Sequence, residues 1–142
     1  MKKTILLFCM VFVLAKTTTA QKTIEDSTLT LKNLYCEILK DSIQFPELVF
    51  TQAIAETGWL TSKACKSRNN LFGLKNGVSR YATWQDCVKA YKEKIQSKYN
   101  GGDYEVFLIK IKYAANGKEY IKFLRQIQKT KRYKEFMKAV KE

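Results

Sequence analysis

The sequence predicts a mainly α-helical domain of about six helices with one short β-hairpin flap, and three observations carry that expectation. Apolar residues recur at helical spacing through most of the chain beyond residue 30. Turn-forming Gly and Asn gather at a few points between those stretches. No repeat, linker or low-complexity tract divides the 142 residues, a length that suits one domain better than two.

Each element has its own local reason. Leu31, Leu34, Tyr35, Ile38 and Leu39 mark an amphipathic helix over 29–43. Pro46 and Glu47 open a second helix, where proline suits the first helical position and a carboxylate the first turn. That helix carries Leu48, Val49, Phe50, Ala53, Ile54 and Ala55, apolar nearly all round, as buried helices are. Gly58 is placed to end it as a C-cap. Residues 59–83 read as polar and irregular. Asn76-Gly77 is a strong hairpin signal, so a β-like flap is expected over Leu71 to Ala82. Thr83-Trp84-Gln85-Asp86 resembles a capping box, and Trp84, Val88, Tyr91, Ile95 and Tyr99 line the face of the helix that follows. Asn100-Gly101-Gly102 breaks it. Asp103 then starts a helix through Val106, Phe107, Leu108 and Ile111, and Ala115-Asn116-Gly117 turns the chain again. Residues 118–128 and 131–141 complete the helices, the last with Tyr133, Phe136, Met137 and Val140 on one side.

The first 20 residues read as a signal peptide. Met1-Lys2-Lys3 is a basic start, Ile5 to Ala15 an apolar run, and Thr18-Thr19-Ala20 a small-residue cleavage signal before Gln21. The run is too short to cross a bilayer, which takes about 20 residues. The expected mature domain is therefore 21–142, opening on a polar tail and exported, either secreted or periplasmic, as a monomer without stable membrane insertion. Loss of Lys2, Lys3 and Lys16 lowers the net charge from +13 to about +10. Such a field favours polyanionic partners, here cell-wall or envelope polymers; export argues against nucleic acid.

Three cysteines remain after cleavage: Cys36, Cys65 and Cys87. They show no metal-ligand spacing, and neither a metal nor a cofactor is expected. If a disulfide forms, Cys65–Cys87 would close the flap segment at both ends, while Cys36, near the apolar stripe of the first helix, would be a buried thiol. Cys36–Cys65 is the competing pair, and full reduction of all three is the other alternative. The chain has no histidine. That removes Ser-His-Asp and Cys-His catalysis in their usual forms and the His-bearing zinc sites of metallohydrolases. Chemistry falls to carboxylates, tyrosines, amides or lysines.

Glu56 is the anomaly, a carboxylate at the C-terminal end of the most apolar helix. It could simply face solvent. It could equally be a general acid, since an apolar pocket raises a carboxyl pKa until it holds its proton near neutral pH.

Phe50-Thr51-Gln52-Ala53-Ile54-Ala55-Glu56-Thr57-Gly58-Trp59, followed by Asn69-Asn70-Leu71-Phe72-Gly73-Leu74-Lys75, resembles the signature of the glucosaminidase family, glycoside hydrolase family 73. Thr51 stands where the family has alanine. Lys112 to Tyr120 resembles the family's Tyr-Ala-Thr-Asp-x-x-Tyr segment. The likeness runs over roughly residues 31 to 128. It implies a lysozyme-like α fold and hydrolysis of the β-1,4 link after N-acetylglucosamine in the glycan strands of peptidoglycan. It also implies Glu56 as general acid, Tyr113 as a cleft tyrosine that binds the acetamido group or steadies the transition state, and Phe72 with Gly73 as a wall of the sugar site. Tyr113 could instead be core. Gln52 and Tyr120 belong to the matching segments and join the candidate substrate-binding set. Trp59, Tyr81 and Trp84 could stack on sugars or be core, and Asn70 could bind substrate or cap a turn.

The chain departs from the family in one respect. Glycosidases normally use two carboxylates, and many relatives carry the second on the flap, yet no Asp or Glu lies between Glu56 and Asp86. The substrate's own acetamido group could participate, Asp86 or a more distant acid could reach the cleft, or catalysis could be weak or lost. A lytic transglycosylase would also manage with one acid, and a wall-binding module would need none.

Overall fold

Pro46–Thr57 (α2) is the helix around which the others are arranged, and its sequence explains why. Val49, Phe50, Ala53 and Ile54 are buried, and so are the polar side chains Thr51, Gln52 and Thr57. A buried hydroxyl costs free energy unless it is hydrogen-bonded, and here both are: Thr51 Oγ1 donates to the Glu47 carbonyl at 2.7 Å and Thr57 Oγ1 to that of Ala53 at 2.6 Å. The computed structural model describes residues 28–142. The expected signal segment, its cleavage after Ala20 and nearly all of the polar tail fall outside the described residues.

Leu31–Lys40 (α1) packs on α2, with Tyr35 edge-on to Phe50 at 5.3 Å. Lys63–Arg68 (α3) is a short helix, and Trp84–Lys94 (α4) leads through a 3-10 turn at Gln96–Lys98. Tyr104–Lys110 (α5), Gly117–Lys129 (α6) and Lys131–Lys141 (α7) finish the chain, α6 lying along α2 and α7 packing on α6. The core is continuous from Leu34 and Ile38 through Phe50, Phe72 and Tyr91 to Leu124 and Tyr133. Six ion pairs join the described residues, and all but that of the buried Glu37 lie at the surface. Exposed pairs add little, whereas each large apolar side chain buried contributes about 2 kcal/mol, so the core holds the fold. No helix among the described residues is long and apolar enough to cross a membrane.

The caps form as the sequence predicts. Gly58 takes φ 56° and its N–H bonds to the Ile54 carbonyl. Thr83 and Asp86 form a reciprocal capping box, and Asp103 caps α5.

Four expectations need correction. First, the fold is mainly α, but no strand forms among the described residues, so residues 71–82 are not a β-hairpin. Lys75, Asn76 and Gly77 all take positive φ, so the segment coils where extended arms would be needed. The Asn70 side chain replaces the ladder: it accepts from Leu74 N–H at 3.0 Å and donates to the carbonyls of Leu74 and Ser79. Arg68 and Arg80 tie the loop back through the carbonyls of Gly77 and Ser67. Second, the region expected to be irregular contains α3, capped by Ser62. Third, Cys36 is exposed, because it sits opposite the Leu34–Ile38 face of α1. Fourth, the conditional Cys65–Cys87 bridge is not formed and the reduced alternative is the one seen: both are buried free thiols, and Cys87 Sγ accepts the Leu71 N–H at 3.3 Å.

Candidate active site

The end of α2 carries Glu56 into an open cleft of about 520 Å³. The loop 72–77 forms one wall, with Ile95 and Lys98 beyond it. Ile111 to Ala115 and Tyr120 form the other. Glu56 is the one carboxylate in this lining, whereas Lys75, Lys98 and Lys112 are all cationic. None of these three lysines is ion-paired among the described residues.

Glu56 is exposed on its open side and crowded by protein on the other. Crowding strips hydration from the carboxylate and pushes its pKa up; the Tyr120 hydroxyl, donating to Oε1 at 2.9 Å, pulls it partly back. The other oxygen, Oε2, lies against Gly73. A β-carbon at Gly73 would come within 2.5 Å of it, so only glycine permits this approach of loop to carboxylate. Gly73 also has φ +62°, a conformation that side chains disfavour.

The turn after α5 brings the two tyrosines over Glu56. Lys112 takes φ 54° and Tyr113 N–H bonds back to the Leu108 carbonyl, which ends α5 and turns Tyr113 inward. Asn116 then caps α6, whose first turn presents Tyr120, 5.7 Å ring to ring from Tyr113. The Tyr113 hydroxyl donates to the Phe72 carbonyl at 2.6 Å, tying the two cleft walls together. Burial and the charges of Tyr120 and Glu56 hold the Tyr113 hydroxyl well above its ordinary pKa, so it stays protonated.

Of the residues singled out in the sequence, Glu56, Asn70, Phe72, Gly73, Tyr113 and Tyr120 all line the cleft. Phe72 does so through its backbone, for its ring is buried 4.4 Å from that of Tyr91. Asn70 is nearly fully buried and its amide is committed to the loop. Gln52 lies beneath the cleft, fully buried, accepting the Tyr91 hydroxyl at 2.6 Å. Trp59, Tyr81 and Trp84 are not in the lining: Arg132 covers the Trp59 ring at 4.0 Å, Lys94 lies 5.6 Å from that of Tyr81, and Trp84 is core. Asp86 does not reach the cleft either. Its carboxylate caps α4, and hydrogen bonds from the Thr83 hydroxyl and N–H hold its pKa down.

The sequence reading missed Ile95, Lys98, Ile111, Lys112, Ala114 and Ala115 as cleft walls. They come from two distant turns whose convergence has no local signal. A family model described as "Glucosaminidase: Mannosyl-glycoprotein endo-beta-N-acetylglucosaminidase" matches residues 32–141. No curated protein and no solved structure matches the chain.

Proposed function

The chain belongs to the glucosaminidase family of glycoside hydrolases, and from that premise we propose an exported enzyme that cleaves the β-1,4 link after N-acetylglucosamine in peptidoglycan. One observation carries the mechanism: among the described residues the cleft has a single carboxylate, Glu56, with a raised pKa and a fixed hydrogen-bond donor. Protonated Glu56 gives its proton to the glycosidic oxygen as the C1–O bond breaks. The carbonyl oxygen of the sugar's 2-acetamido group closes on C1 to form an oxazolinium ring. The Glu56 carboxylate then takes a proton from water, whose oxygen attacks C1, reopens the ring and leaves Glu56 protonated again. This route needs no second acid, in keeping with the commitment of Asp86 to its helix cap. Tyr113, whose own proton goes to Phe72, offers its oxygen to the acetamido N–H.

The same single acid suits a transglycosylase, in which a substrate hydroxyl replaces water. Mass spectrometry of digested peptidoglycan separates the outcomes. Reducing N-acetylglucosamine ends are expected; anhydromuramic ends would replace water by an intramolecular nucleophile, and no new ends would leave a wall-binding module.

Wall binding should weaken steeply with salt. The expected mature chain carries a net charge of about +10, and the cleft presents three lysines with no ion pair among the described residues, while exposed charges are screened beyond about 10 Å at 0.1 M salt. Pull-down on purified peptidoglycan across a salt series measures this, and binding indifferent to salt would instead assign affinity to stacking on the cleft's aromatics.

A further inference from the structure

Beneath the cleft runs a line of buried polar groups that the reaction above leaves unused. Gln52 lies one turn before Glu56 on α2 and is fully buried. Its Oε1 accepts the Tyr91 hydroxyl at 2.6 Å, and Tyr91 shares a 2.9 Å hydrogen bond with the Tyr104 hydroxyl. The Tyr91 proton is thereby committed to Gln52, so Tyr104 is the donor between the two tyrosines. Gln52 Nε2 is buried with no partner at full hydrogen-bonding geometry. Burial and the neighbouring Glu56 carboxylate raise the Tyr120 pKa and the Gln52 side chain pulls it partly back, which puts this amide beside the Tyr120 hydroxyl. A buried amide N–H without a partner is costly, so this one calls for a role.

We propose that Gln52 is a positioning residue for the acid. Anchored through Oε1 by Tyr91 and Tyr104, it turns Nε2 toward the Tyr120 oxygen and so aims the Tyr120 proton at Glu56. The anchor decides the direction. A flipped amide would present Oε1 to Tyr120 and draw the hydroxyl proton away from Glu56; with Oε1 held by Tyr91, every donor from Tyr104 through Tyr91 and Gln52 to Tyr120 points the same way. The other groups that face Glu56 are Tyr113 from the turn before α6 and the backbone at Gly73, with Lys75, Lys98 and Lys112 on the cleft walls. Among the described residues, none of them hydrogen-bonds the Tyr120 hydroxyl, which donates to Glu56. The catalytic consequence rests on Glu56 being the acid, but the relay itself does not.

The test is a carboxyl-carbon NMR titration of Glu56 in the unliganded protein, with the resonance assigned by its loss in Glu56→Gln. Gln52→Met keeps the side chain's length and removes its donor, and should raise the Glu56 midpoint by about half a pH unit; Tyr120→Phe should raise it by about one. Added to Tyr120→Phe, Gln52→Met should shift it no further, a non-additivity that general loosening of the helix would not produce. The alkaline limb of the kcat/KM profile should move with the midpoint. If Gln52→Met does not fold, Tyr91→Phe removes the anchor and keeps the ring, with the same direction expected. An unmoved midpoint in either folded variant, or an equal shift without the Tyr120 hydroxyl, overturns the relay. Because the titration needs no turnover, a Glu56→Gln variant of full activity would overturn the catalytic reading and leave the relay result standing.

Discussion

Glu56→Gln should cut glycan cleavage by a factor of roughly 10² to 10⁴, the usual worth of a general acid, while leaving the helical fold intact. The amide keeps the size of the side chain and can still accept from Tyr120, but it has no proton to give. Its effect on stability has a sign that separates chemistry from unfolding. Folding raises the Glu56 pKa, chiefly through desolvation, so across the range between the unfolded and folded values the native state holds more proton than the unfolded chain. Stability therefore falls as pH rises through that range. Above it, wild type bears the cost of a partly desolvated charge that glutamine does not have. The variant should melt no lower than wild type at neutral pH, and the two should converge in acid, where both side chains are neutral. Thermal melts at the two pH values, beside a peptidoglycan digestion assay, measure this. Wild-type cleavage by the variant would remove Glu56 from the chemistry, and a lower neutral melting temperature would remove the desolvation argument.

Sequence reading succeeded where short-range physics decides. Gly58 ends α2, Thr83 and Asp86 cap α4, and Asp103 caps α5, each within a few residues of its partner. Glu56 stood out because a carboxylate at the end of an apolar helix needs a reason, and the matching segments around it pointed to its neighbours. The failures share another cause. The Asn-Gly signal was real, since Asn76 and Gly77 do take positive φ, but Lys75 joins them and the Asn70 amide supplies the bonds that arms of a hairpin would have made. A six-residue helix such as α3 is too short to show a period. Cys36 was misplaced by counting neighbours along the chain when the angle around the helix is what matters. The bond from Tyr120 to Glu56 spans 64 positions, and only packing of α6 along α2 creates it.

Gly73→Ala should cost far more activity than stability. The added β-carbon would stand 2.5 Å from Glu56 Oε2 and 3.2 Å from Cδ, the first of which real structures essentially never show. Something must move, and the carboxylate is the mobile end of a flexible side chain while the loop is fastened by Asn70, Arg68 and Arg80. Glu56 therefore yields, and it yields by leaving the place where Tyr120 reaches it. A displacement of about 1 Å in a catalytic group can cost about 10²-fold, and that is the loss expected in kcat. The stability loss has a separate source, the left-handed backbone at φ +62°, which costs a residue with a β-carbon about 1–2 kcal/mol. Gly102→Ala separates the two effects. Gly102 is also left-handed, at φ +88°, but its β-carbon would meet nothing within 4 Å and it lies outside the cleft lining. It should melt about as low as Gly73→Ala and cleave like wild type. Equal activity in the two alanine variants would mean that Glu56 does not work from its seat against the loop, and the cleft geometry would lose its claim on the reaction.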